Sequence, residues 1–155
     1  MKALPSEIVQ FFRRQPFVIV STVDSDNTTH NSCKGIVDIN QKGAVYLLDL
    51  YRKNTLVNLK RNGNISITAV DEHKFVGYCL KGTAAIVGKK SLTPHILKAW
   101  EKRLAGRITH RLLKNIKDES VKGHRRYPES LFPKPEYMIS VKVSEIVTLT
   151  PSHIK

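Results

Sequence analysis

Short runs of β-branched and aromatic residues, separated mostly by tight polar turns, restrict the possible folds of this chain more than any other feature. Strands joined by short turns pair antiparallel, so the pattern predicts an antiparallel sheet. Gly77, Gly82 and Gly88, in or beside the fifth run, indicate bulges or close backbone approach, as a closed sheet needs. The predicted strands are 17–23, 28–39, 44–50, 65–70, 76–87 and 137–149.

Three segments follow a helical period instead. Residues 4–14 share an apolar face, and residues 52–61 form a second helix that Asn54 or Thr55 can cap. Residues 93–117 carry an apolar residue at every fourth position, with Trp100 expected in the core, and 118–135 read as a loop. The predicted fold is therefore mainly β with α: a single domain, 1–155, built as a six-stranded antiparallel barrel with these three helices.

The chain is strongly basic, with 26 Lys and Arg against 13 Asp and Glu and a formal net charge of +13. Such a charge attracts nucleic acids, acidic surfaces or phosphorylated ligands. Between Lys98 and Arg126 the sequence contains ten basic and three acidic residues, a composition that an ordinary solvated helix face also explains. No zinc-finger spacing, basic region with heptads or aromatic RNA-binding strand accompanies the charge. A nucleic-acid-binding barrel is therefore only a third alternative.

The sequence also restricts the cellular setting. No apolar stretch approaches the ~20 residues of a membrane helix, and the first residues lack a signal-peptide pattern. Two cysteines, Cys33 and Cys79, are too few for a disulfide framework or a four-thiolate metal site, and we expect both to be buried thiols in a reducing compartment. We expect a cytoplasmic protein.

The segment 49–58 carries the clearest ligand-binding pattern. A strand ends, the adjacent cations Arg52 and Lys53 follow, and Thr55 and Asn58 lie one turn apart at the start of a helix. A helix N-terminus offers unpaired N–H donors and a positive dipole, which suit a phosphate group. Arg52 and Lys53 add positive charge, and Thr55 and Asn58 can donate from one face. An ordinary capped helix with surface cations explains the same residues.

The segment 30–35 is small and polar inside a predicted barrel strand, which favours a strand that lines a cavity. Gly35 would let a planar group approach the backbone. The histidines are scattered, without a metal-ligand spacing, so no metal site is assigned. No phosphate-binding loop, dinucleotide fingerprint or nucleophile motif occurs, and the catalytic residues are not identified.

In this order, "T-V-D-S-D-N-T-T-H-N-S-C-K-G" followed by "V-Y-L-L-D-L-Y-R-K-N-T-L-V-N-L-K-R-N-G-N-I-S-I" resembles the FMN-binding split barrels of the pyridoxamine 5'-phosphate oxidase-like superfamily. The resemblance covers roughly 4–87 and the last strand. It implies a homodimer with FMN at the subunit interface. By position, Arg52, Lys53, Thr55 and Asn58 match the residues that hold the FMN phosphate. The strand beside the isoalloxazine ring is matched by Asn31, Ser32, Cys33, Lys34 and Gly35.

The sequence departs from the true vitamin B6 oxidases at its end. Those enzymes carry Arg-Leu-x-Pro, whereas the corresponding segment here is Thr-Leu-Thr-Pro, with Thr148 in place of the Arg. We therefore expect an FMN-dependent oxidoreductase with a small-molecule electron donor or acceptor, and not a pyridoxamine phosphate oxidase. Lys34 is the candidate for stabilising negative charge on the reduced ring. A flavin-binding or flavin-sensing module without turnover is the alternative, and a related flavin or deazaflavin can replace FMN in either interpretation.

Overall fold

The computed structural model describes residues 1–51, 53–88, 90, 92, 94–117, 133 and 135–154, and for 107, 110–117 and 154 it describes the backbone only. Six antiparallel strands close a barrel in the order β1-β2-β3-β6-β5-β4, as predicted. The helices and strands are α1 (Ser6–Arg14), β1 (Val18–Val23), β2 (Thr29–Ile39), β3 (Ala44–Leu48), α2 (Asn54–Arg61), β4 (Asn64–Asp71), β5 (Val76–Gly88), α3 (Pro94–Lys117) and β6 (Tyr137–Thr148). A short 3-10 helix, Ser152–Ile154, follows β6.

The core fills the barrel interior. Inward side chains alternate along the strands, and α1 adds Ile8 and Phe12 to the same cluster. Burying each such side chain contributes about 1.5–3 kcal/mol, which makes this cluster the main source of stability. The largest fully buried side chains are Phe12, Ile36, Ile39, Leu47, Ile67, Leu80, Ile139, Val18, Val20, Val45, Val141 and Val143.

The β-branched and aromatic run 17–23 predicts a strand that is buried on both faces for much of its length, and β1 differs from this prediction. Val18 and Val20 point inward and are buried, whereas Ile19 points outward and is 44% exposed. The difference follows from barrel geometry, because successive side chains in a strand point to opposite faces. The closed barrel covers only one of them.

The β1–β2 turn is built from polar residues. Asn27 adopts a left-handed backbone with φ of 64°, a conformation that Asn tolerates better than most residues. The hydroxyl of Thr28 donates to Oδ1 of Asp26 at 2.6 Å, and the Thr28 backbone N–H donates to the same oxygen. These hydrogen bonds lower the pKa of the Asp26 carboxyl below its usual value.

The predicted close approach at Gly82 is confirmed. The pairing of β5 with β6 shifts register between Lys81 and Gly82, and a Cβ at Gly82 would overlap the carbonyl oxygen of Lys142. At Gly88, by contrast, no atom of the described residues lies within 4 Å of where a Cβ would stand, so no such approach occurs there. Gly82 therefore marks the bulge at which β5 and β6 come together.

Two expectations about the helices need correction. No side chain among the described residues caps α2, and Lys53 occupies its N-cap position, because the hydroxyl of Thr55 bonds to β2 instead. Trp100 is half-buried on the outside of the barrel, not in the core, because α3 packs against the outer side of β2. The predicted start of α3 at residue 93 and most of the predicted loop 118–135 lie outside the described residues.

Candidate functional site

A cleft lies between β2 and the start of α2. This helix-side cleft has a volume of about 390 Å³ and is lined by His30, Ser32, Cys33, Lys34, Asp49, Tyr51, Lys53, Asn54 and Thr55. It forms where β3 ends and the chain turns into α2, so the two segments that the sequence singled out meet here. The barrel places them side by side because β2 and β3 are antiparallel neighbours.

A second cleft of about 310 Å³, the strand-side cleft, shares several of these residues. Phe17, Leu48 and Leu50 give it apolar walls, and Gly35 lies on its surface. Cys33, Lys34, Asp49 and Tyr51 border both clefts. The two clefts therefore form one elongated site, polar at the start of α2 and more apolar beyond Lys34.

Ser32 and Thr55 join β2 to α2 at the polar end. Their hydroxyl oxygens lie 3.1 Å apart within hydrogen-bond distance, and Thr55 is buried. An α-helix leaves its first N–H groups without intrahelical partners, and no side chain among the described residues caps α2. Lys53 is exposed at this terminus. Together, these groups can bind an anion.

Asn58 does not line the helix-side cleft. Its Nδ2 atom donates to Oγ1 of Thr22 at 3.0 Å and to Oδ1 of Asp24 at 2.7 Å, and the residue is buried. Arg61 adds a bond to the carbonyl oxygen of Val23 at 2.6 Å. These bonds anchor α2 to the end of β1 and fix the direction in which the helix N-terminus points.

Lys34 forms a buried ion pair that the sequence did not predict. Its Nζ atom lies 2.9 Å from Oδ1 of Asp49, and the two side chains are only 7% and 4% exposed. Lys34 faces the barrel interior because it pairs directly with the inward-facing Val18. The hydroxyl of Tyr137 donates to Oδ2 of Asp49. The signal in the sequence was Asp49 itself, a charged residue at the end of an apolar strand.

The other predicted site residues have different surroundings. Asn31 is exposed on the outer face of β2 and lines neither cleft. Cys33 is exposed and Cys79 half-buried, which corrects the expectation of two buried thiols: Cys33 pairs with the outward-facing Ile19. Arg52 lies outside the described residues. Trp100 lines a small cavity of about 60 Å³ next to Gly35, Leu48 and Leu50 of the strand-side cleft.

The described part of the chain lacks a metal-binding cluster and a membrane-spanning helix. It contains no group of three or more His, Cys, Asp or Glu side chains that could hold a metal ion. None of its helices is both long enough and apolar enough to cross a membrane.

Comparison with known families identifies the class. A family profile described as pyridoxamine 5'-phosphate oxidase matches residues 4–129, most of the chain. The chain belongs to the pyridoxamine 5'-phosphate oxidase family. No curated protein matches it.

Solved structures support the split-barrel fold. A protein from Lactobacillus delbrueckii assigned as a pyridoxamine 5'-phosphate oxidase is similar at 16% identity and a TM-score of 0.65, over 95% of each chain. HupZ from Group A Streptococcus is similar at 16% identity and a TM-score of 0.65, again over 95% of each chain. An F420 reductase is similar at 12% identity and a TM-score of 0.55, over 93% of this chain and 98% of its own.

Proposed function

We propose that this protein is a single-domain FMN-binding split barrel that acts as a flavin-dependent oxidoreductase. The observation that carries the proposal is the elongated site, in which a buried lysine and the start of α2, which no described side chain caps, border one continuous cleft. The family match over residues 4–129 supports a flavin as the ligand. We place the protein in the cytoplasm, where its two free cysteines stay reduced.

The residues present fit the phosphate end of FMN. Thr55 lies at the start of α2 with its hydroxyl beside that of Ser32, and Lys53 adds a positive charge. First-turn N–H groups and the helix dipole favour a phosphate dianion. We assign Arg52 to the same phosphate from the sequence pattern. Asn58 serves this end indirectly, because its bonds to Thr22 and Asp24 hold the helix in place.

The strand-side cleft fits the flavin ring. Leu48, Leu50 and Phe17 supply apolar walls, and Gly35 leaves room for a planar group to approach β2. Cys33 borders this cleft, while Asn31, which the resemblance also matches to the strand beside the ring, lies on the outer face of β2. When bound, FMN supplies the electron transfer, and the protein binds it, orients it and limits its contact with water.

We further propose a homodimer that completes both sites. Outward-facing apolar side chains lie on β1 and just before it: Phe17 is 53% exposed and Ile19 44% exposed, next to the exposed Cys33. Large exposed apolar side chains that cluster beside a cleft are typical of an interface. Burial of this face by a second copy would also close the strand-side cleft.

Flavin titration tests the proposal. Quenching of flavin fluorescence by the full chain should show tight binding of FMN and binding of riboflavin at least tenfold weaker, because riboflavin lacks the phosphate. Lys53→Ala should lower FMN affinity about threefold or more and leave riboflavin affinity unchanged. Lys60→Ala, at the other end of the same helix and also exposed, is the matched control and should change neither affinity. Equal affinity for FMN and riboflavin would contradict the phosphate site.

The reaction is tested separately from binding. Bleaching of the bound flavin by a nicotinamide donor supports an oxidoreductase, and a flavin that binds but is not reduced supports a binding module. The F420 reductase with the same fold makes the deazaflavin F420 the second candidate cofactor. A parallel titration with F420 distinguishes the two, and preference for F420 over FMN would replace FMN in the proposal.

A further inference from the structure

The buried contact between Lys34 and Asp49 is unusual for its position. The two charges lie at one end of a barrel whose interior is mainly apolar: Lys34 is on β2, and Asp49 follows the neighbouring strand β3. Burying both charges costs solvation energy, and a well-packed apolar pair at such a place is often as stable or more stable. Stability alone therefore explains this ion pair poorly. Its position between the two clefts suggests a role in ligand binding.

Lys34 keeps donors for a ligand. A lysine ammonium carries three N–H donors, and in the described part of the chain one of them meets Oδ1 of Asp49 at 2.9 Å. The side chain is only 7% exposed yet borders both clefts. A charge in such a poorly hydrated place interacts with a ligand more strongly than an exposed charge does.

Asp49 is held from two sides. Lys34 approaches Oδ1, and the Tyr137 hydroxyl donates to Oδ2. Leu48 pairs with Met138, so Asp49 and Tyr137 come at the adjoining positions, where the strands end. The carboxylate is thereby fixed, and it fixes the lysine ammonium next to the cleft while offsetting its charge.

We propose that Lys34 contacts the bound flavin ring and that Asp49 positions Lys34 and limits its charge, so that the pair sets the relative affinity for reduced and oxidised flavin. This inference rests on the proposed function and adds to it the control of redox preference. Two-electron reduction leaves the flavin ring anionic near neutral pH. A nearby cation therefore favours the reduced form, and the carboxylate weakens that preference.

The midpoint potential of the FMN-loaded protein tests this directly. By the thermodynamic cycle, a change in potential equals a change in the ratio of affinities for reduced and oxidised FMN, and spectroelectrochemical titration measures it without any substrate. The variants are Asp49→Asn and the double variant Lys34→Met/Asp49→Asn, in which no unpaired buried charge remains. Lys81→Met and Glu145→Gln are matched controls. Nζ of Lys81 lies 3.2 Å from Oε1 of Glu145, and this exposed ion pair borders neither cleft.

Asp49→Asn should raise the preference for reduced FMN at least tenfold, because the lysine charge is no longer offset. The preference of the double variant for reduced FMN should be at least tenfold lower than that of Asp49→Asn. The preference of each control variant should stay within twofold of that of the parent. Should Asp49→Asn not fold, the double variant decides: at least a threefold lower preference than the parent supports the inference.

Two results would overturn the inference. The first is FMN uptake with all variants within twofold of the parent, which leaves the proposed function intact. The second is a fall in the preference for reduced FMN in Asp49→Asn. A parent chain that takes up no FMN overturns the proposed function and the inference together.

Discussion

The Nδ2 atom of Asn58, in the middle of α2, lies 3.0 Å from the Thr22 hydroxyl oxygen on β1. This contact ties the helix to the barrel at a buried point. The direction of the helix N-terminus, and with it the polar end of the cleft, depends on it. Asn58 therefore acts on the proposed phosphate site by orientation.

Asn58→Ala should destabilise the protein by about 2–3 kcal/mol. The change leaves the buried Thr22 hydroxyl and the Asp24 carboxylate without a donor that they have in the folded state. Urea unfolding followed by circular dichroism measures the effect. Asn54→Ala, at an exposed position of the same helix, is the control and should stay within about 0.5 kcal/mol. Equal midpoints for the two variants would show that the anchor contributes nothing.

Gly82→Ala should destabilise by about 2 kcal/mol or more, because a Cβ there would overlap the Lys142 carbonyl oxygen across the β5–β6 bulge. Gly88→Ala, in the same strand, should be neutral or slightly stabilising, because its Cβ would meet no atom of the described residues within 4 Å. Thermal melting of both variants measures the contrast. A Gly82→Ala protein as stable as the parent would place the bulge elsewhere.

Light scattering at micromolar concentration should give about 35 kDa, twice the 17.6 kDa chain. Ile19→Lys should shift the mass towards the monomer, because it places a charge on the exposed apolar face beside Cys33. Val57→Lys places the same charge on an exposed apolar position of α2 and should leave the dimer unchanged. A parent mass near 18 kDa would exclude the dimer.

The FMN-loaded protein should oxidise pyridoxamine phosphate poorly. Thr148, the last residue of β6, stands where the B6 oxidases carry an Arg that contacts the substrate, and it has neither the charge nor the reach of Arg. Loss of such a contact lowers the rate by about 30- to 1,000-fold. Formation of pyridoxal phosphate and peroxide measures the reaction, and reduction of the same sample by a chemical reductant shows that its flavin is competent. Turnover near one per second would refute the expectation.

Much of the fold followed from local pattern. The β-branched runs and their turns predicted all six strands and the barrel. Apolar residues at every fourth position from Ile96 onward predicted α3. These features depend on alternation and periodicity within a few neighbouring residues, which a sequence displays directly. The burial of Ile19, Cys33 and Trp100 was predicted wrongly, because burial depends on which face of the barrel another element covers.

The sequence by itself determined the strand and helix content and the closing of the sheet, and its family resemblance implied that the polar strand and the start of α2 share one ligand. Only the tertiary structure decided that Lys34 is paired with Asp49, that Tyr137, 88 residues further along the chain, completes the cluster, and that Asn58 turns inward. The physical reason is register. Which side chains meet across neighbouring strands depends on pairing and bulges that join distant parts of the chain, and a shift of one residue would turn Lys34 to the outer face of the barrel.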